Sequence, residues 1–167
     1  MYDSSVPVFR RYLSNLRAIV SLAATHPEAA ALLSARLAPN MNDFATQVEI
    51  AVNFPVRCCV PLCGLTQRGS GEFGATFSGL RARIDHVLEF LAGLTPADFN
   101  GAEERTIADR AGEAELVLKG RQFLSEYALP NFFFHLTSAY AILRQAGLPI
   151  GKSDFDGFHV YTAGALA

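Results

Sequence analysis

The chain has 167 residues, half of them hydrophobic and only 18% charged, with a net charge of -2. That length suits a single domain over 1–167, with a core that needs no disulfide or metal to hold it. The balance leaves no basic footprint for nucleic acid, and its low share of charge points to an apolar patch covered by a second copy, hence a homodimer.

The N-terminal seven residues lack a basic region followed by a long apolar run, so they do not read as a secretory signal. No apolar stretch is long enough to span a bilayer, because Arg, Glu, Asn or Pro interrupts each one. Cys58, Cys59 and Cys63 are odd in number and crowded together, which is no disulfide framework. A reducing cytoplasm is the expected compartment.

The first helix is predicted over 6–24, with Pro7 in its first turn. Phe9, Leu13, Leu16, Val20 and Ala23 recur at steps of four and three, opposite Arg10, Asn15 and Arg17. Thr25-His26-Pro27 ends it, since the residue before proline avoids the α region. A short helical piece over 28–36 and a turn at 38–40 follow.

Asn42 or Asp43 caps the next helix, whose Phe44, Val48 and Ala51 face the core with Gln47, Glu49 and Asn53 between them. Pro55 and Pro61 each remove a backbone donor and clash with the preceding turn, so a kink or a restart is expected there. Glycine and serine make 64–75 a loop. Phe77, Leu80, Ile84, Val87 and Leu91 then mark a regular third helix, with Arg81, Asp85 and Glu89 outside.

Two short strands are predicted at 105–108 and 114–119 around a turn at 109–112, a hairpin too small to stand without the helices. After a helical lead-in at 122–127, the segment 129–147 reads as a helix opened by Pro130 and closed by Gly147. Phe132, Leu136, Ala139 and Leu143 form its core stripe. Asn131, His135, Ser138 and Ile142 form a second stripe beside it, where polar groups face a pocket or a seam. The tail beyond Gly151 shows no helical period.

Residues 146–153 resemble a relaxed phosphate loop, but a helix precedes them where a strand is required, and Pro149 removes a donor. A helix stop followed by a turn is the reading adopted. Cys59 and Cys63 lie four apart and share a face if the helix survives Pro61, yet match no zinc spacing; buried cysteine is commonly a small hydrophobe. His26 and His86 read as surface residues, and His159 sits in the tail without an acidic partner at ligand spacing. His135 alone combines burial with polar neighbours, Asn131 one turn before and Ser138 one turn after. By itself this pattern favours a hydrogen-bonded core histidine over a catalytic one.

The segments 2–13 (YDSSVPVFRRYL), 35–41 (ARLAPNM), 129–147 (LPNFFFHLTSAYAILRQAG) and 148–155 (LPIGKSDF) resemble a bacterial family of unknown function. That family lies within the DinB/YfiT-like group of metalloenzyme-type bundles. The resemblance implies an all-α, up-down-down-up four-helix bundle, frequently dimeric, here with a small β-hairpin between the third and fourth helices. The wider group holds a divalent metal through three histidines, one on the second helix and two four apart on the last. The register set by Leu143-Arg144 carries one of that pair onto His135 and the other onto Asn131. The second-helix position falls near residues 47–50, where no histidine stands. One imidazole does not hold a catalytic ion that needs about three protein ligands.

The expectation is a pocket lined by His135, Asn131 and Gln47, with no tightly bound metal and no cofactor, open to a small-molecule ligand. Two functions fit it. One is a binding or interaction bundle with a degenerate metal site. The other, implied by the wider group, is a divergent metal- or thiol-dependent transferase, isomerase or hydrolase using His135.

Overall fold

In the computed structural model, residues 1–66 and 71–162 are described. The protein is mainly helical. Helix α1 runs Val6–Ala23, α2 Ala29–Ser34, α3 Phe44–Leu62 and α4 Phe77–Ala92. The antiparallel pair β1 (Thr106–Ala111) and β2 (Ala114–Lys119) follows, then the single turn α5 (Gly120–Gln122). A π-helical segment, Phe123–Ala128, leads into α6 (Leu129–Gln145), and α7 (Lys152–Asp156) comes last. The main packing partners are α3 with α6, α1 with α4, and α3 with α4. No described helix is long and apolar enough to cross a membrane.

Periodicity accounts for α1 and α4. Phe9, Leu13, Leu16, Val20 and Ala23 are all buried, joined by Val6 and Ile19, and α4 buries Leu80, Ile84, Val87 and Leu91. Two side-chain caps start the helices that follow loops. Asp43 accepts the Thr46 amide at 2.9 Å, and Thr76 accepts the Gly79 amide at 3.1 Å, each satisfying a donor the helix cannot.

Helix α3 departs from expectation. It runs unbroken through Pro55 and on to Leu62, so no restart occurs. The prolines deprive the carbonyls of Ala51 and Arg57 of their helical donors. Burial of Phe44, Val48, Ala51, Val52, Phe54, Cys58, Cys59 and Leu62 compensates. At about 1.5–3 kcal/mol for each large side chain, that burial outweighs two lost bonds. The expected loop over 64–75 falls partly outside the described residues, and its described ends are non-helical.

The hairpin is longer than its sequence pattern indicated. Asp109, Arg110 and Ala111 belong to β1, and the turn is only Gly112-Glu113, with Ala111 paired to Ala114. Gly112 has φ +60° and Glu113 a negative φ, as in a type II′ turn, whose twist matches that of the strands. Ile107 is buried against the helices. Where β2 passes into α5, Gly120 is obligatory, since a Cβ there would lie 1.9 Å from the Ala102 carbonyl oxygen.

The lead-in and α6 form one helical path from Gly120 to Gln145, so Pro130 does not open the helix but lies within it. The wider π turn just before Pro130 accommodates its missing N–H. At the far end Gly147, at φ +88°, stops the helix.

The tail has more order than its missing helical period indicates. Asp154 accepts the Gly151 amide at 2.7 Å and starts α7. Phe155 then packs edge-on against Tyr12 and Tyr140, and Asn15 donates to the Phe155 carbonyl at 3.0 Å. Helix α7 thereby clasps α1 to α6. His159 does have an acidic partner, because the turn at Gly157 brings its Nδ1 to the Asp156 carboxylate.

Candidate functional site

His135 lies on the border of α6 that faces α3. Its core neighbours Phe132, Leu136 and Ala139 are buried, and the imidazole itself is half-buried at the seam between the two helices. The Phe54 ring stacks on it at 6.0 Å and 20°, and Phe134 meets it edge-on at 5.1 Å.

Gln47 comes from the second turn of α3 and is 1% exposed. Its amide nitrogen donates to the Asn42 carbonyl at 3.3 Å, which places the amide oxygen at the other end. That oxygen lies 2.7 Å from His135 Nδ1, so Nδ1 must carry the proton and donate it. The proton on Nδ1 leaves Nε2 as a bare lone pair. Nε2 has no hydrogen-bond partner among the described residues and keeps access to solvent. Burial lowers the His135 pKa below the ordinary imidazole value, favouring this neutral form near pH 7.

Asn131 does not join the other two. Its amide donates to the Tyr127 carbonyl at 2.8 Å, one turn back along its own helix. Ser138 is buried beside Phe133, Phe134, Thr137 and Ala141, with Leu37 opposite, in a shallow groove of about 450 Å³. His135, Asn131 and Gln47 are not part of that groove's lining.

The donor set does not fit a catalytic divalent ion. Gln47 spends its oxygen on the imidazole and Asn131 its amide on backbone, which leaves one nitrogen where about three ligands are needed. Glu49 turns the other way, 3.5 Å from Arg83 of α4. Among the described residues no three His, Cys, Asp or Glu side chains are grouped to hold a metal.

Nor do the thiols offer a substitute. Cys58 and burial together push the Cys59 thiol well up, and burial pushes Cys63 up to about 12, so both stay protonated and poorly nucleophilic. The remaining imidazoles are elsewhere: His86 is exposed beside Phe73, and His26 accepts the Glu28 amide at 3.1 Å.

Three residues that carry no site signal in the sequence are reached from the imidazole through the Phe54 ring. Arg57, one turn beyond Phe54 on α3, holds Asp109 of β1 through Nε at 2.7 Å and Nη2 at 2.8 Å. Its guanidinium carbon is 5.5 Å from both the Phe54 and Tyr127 rings. Tyr127 meets Phe54 edge-on at 6.0 Å. The only sequence signal was Arg57 itself, a charge one helical turn from Phe54 between two prolines. In the sequence Asp109 reads as a turn residue, and the π segment hides the face on which Tyr127 lies.

Comparison with known proteins agrees with this architecture. No curated protein matches the chain. A crystal structure of a DinB family member protein from Shewanella denitrificans is 34% identical, covering 97% of this chain and 94% of that one, with a TM-score of 0.82. Residues 1–156 match the family described as domain of unknown function DUF1993. The chain therefore belongs to the DUF1993 family, within the DinB-like group.

Proposed function

We propose that this DinB-like protein is a small-molecule-binding bundle of α1, α3, α4 and α6 in up-down-down-up order, with a degenerate metal site. In this reading His135 receives a ligand's proton donor on Nε2. The observation that carries it is the bond between Gln47 Oε1 and His135 Nδ1. Where the wider group has a second-helix metal ligand, Gln47 instead acts on the imidazole from behind, fixing its tautomer and its orientation. The same lone pair favours a second reading, in which His135 takes a proton from a bound substrate as a general base.

Two measurements on protein purified without a histidine tag test the first reading. Long-range proton–nitrogen spectra at neutral pH are expected to show His135 protonated on Nδ1 and bare on Nε2. Elemental analysis is expected to find metal well below one equivalent and unchanged in His135→Ala. Stoichiometric zinc, nickel or manganese that disappears in that variant would falsify the degenerate-site reading.

A further inference from the structure

We infer that the His135 site extends along the α3–α6 seam to Arg57 and Tyr127, and that it takes a small carboxylate that also carries a hydroxyl. The carboxylate oxygens accept from Arg57 Nη1 and the Tyr127 hydroxyl, and the ligand's hydroxyl donates to His135 Nε2. This rests on the reading of His135 given above.

The donors are present, and each keeps a hydrogen free. Arg57 Nε and Nη2 are both committed to Asp109, and Nη2 also meets the Arg110 carbonyl. Nη1 takes no part in the tie to Asp109 and Arg110, and the Arg57 side chain is 36% exposed. The clamp by Asp109 makes Arg57 rigid and offsets most of its charge. Arg57 is thus an oriented donor, not a free cation.

The Tyr127 phenol oxygen faces the Arg57 guanidinium and can only accept from it, and its own O–H has no acceptor among the described hydrogen bonds. Burial raises its pKa while the adjacent Arg57 pulls it down, with a net rise, so the phenol keeps its proton. Asn131 holds the Tyr127 carbonyl at 2.8 Å, and so positions this residue instead of ligating a metal.

All three functional groups gather on one ring. The His135 imidazole, the Arg57 guanidinium and the Tyr127 phenol each lie within 6.0 Å of Phe54, which is itself 4% exposed. One guanidinium N–H and one phenol O–H match the two oxygens of a carboxylate. They are too few for a phosphate dianion. The neutral imidazole supplies an acceptor and no charge, which calls for a proton donor elsewhere on the same molecule.

The test titrates isotope-labelled protein with lactate, with acetate (which lacks the hydroxyl) and with 1,2-propanediol (which lacks the carboxylate). Lactate is expected to move the Arg57 Nε and His135 Nε2 resonances along one isotherm, at lower concentration than either partial probe. Tyr127→Phe, which leaves the Arg57–Asp109 tie intact, is expected to weaken lactate about fivefold. Arg57→Lys, keeping charge but losing the fork, should weaken it further.

Lactate moving only one of the two resonances, or neither, overturns the inference, as does an unchanged isotherm in Tyr127→Phe. None of those results alters the tautomer or the metal content, so failure here is distinct from failure of the proposed function.

Discussion

The α1–α6–α7 corner and the α3–α6 seam lie on two sides of the same helix and are built on different terms. At the corner, Phe9 meets Phe132 at 5.0 Å, Tyr12 meets Phe133 at 4.8 Å, and Phe155 closes over Tyr12 and Tyr140. Stability there comes from apolar area and edge-to-face rings. At the seam, buried Gln47 and half-buried His135 satisfy each other, and Arg57 reaches across to Asp109. A corner built from area tolerates changes that conserve volume. A seam built from paired polar atoms does not, because one missing partner leaves a desolvated group behind.

Perturbing each region alone sharpens the contrast. The largest effect is expected at the corner: Phe132→Ala removes a fully buried ring and should cost about 3–5 kcal/mol. Urea unfolding measures this, while the His135 tautomer in the surviving native population stays as it was. A loss below 1 kcal/mol would mean that the corner is not the stabilising element.

Next comes Gln47→Leu, similar in size but without the acceptor. It should cost about 1–3 kcal/mol, since His135 Nδ1–H loses its partner. The histidine spectrum should then show mixed Nδ1–H and Nε2–H forms. A single unchanged tautomer would separate the imidazole's state from Gln47 altogether.

The smallest effect is expected from pH. Burial lowers the native His135 pKa below its unfolded value, so this histidine's contribution is complete above the ordinary imidazole pKa. As pH falls through that value, the unfolded chain takes up a proton that the native imidazole resists, and stability declines. Denaturant midpoints between neutral and mildly acidic pH should therefore fall less steeply in His135→Gln than in the parent. An equal or steeper fall in the variant would show that His135 carries no such linkage.

The corner was largely legible in the sequence and the seam was not. The stripes of α1, α4 and α6 appeared as three-four spacing because each residue on them does the same thing, namely lose water. Local backbone rules were weaker guides. Pro55 and Pro61 signalled interruption, yet burial along α3 kept the helix continuous. The tail beyond Gly151 shows no helical period, yet the Asp154 cap and the Phe155 contacts form a helix there.

At the seam, register points to both His135 and Gln47, but nothing local says that Gln47 bonds to the imidazole instead of standing as a ligand beside it. They are 88 positions apart, and the bond exists only once α3 and α6 pack. Arg57 with Asp109 is a similar case, at a separation of 52.

The π-helical segment Phe123–Ala128 acts as a one-residue insertion that the helix has absorbed without breaking. Each residue of an α-helix advances the face by about 100°. Deleting one residue within 123–128 would let the path relax to regular α geometry and turn everything before it by about that angle relative to His135. Tyr127 would leave the Phe54 ring, and the hairpin that supplies Asp109 would be swung away from Arg57. Through this single extra residue, the spacing of the α6 lead-in sets which side chains share a surface with the imidazole.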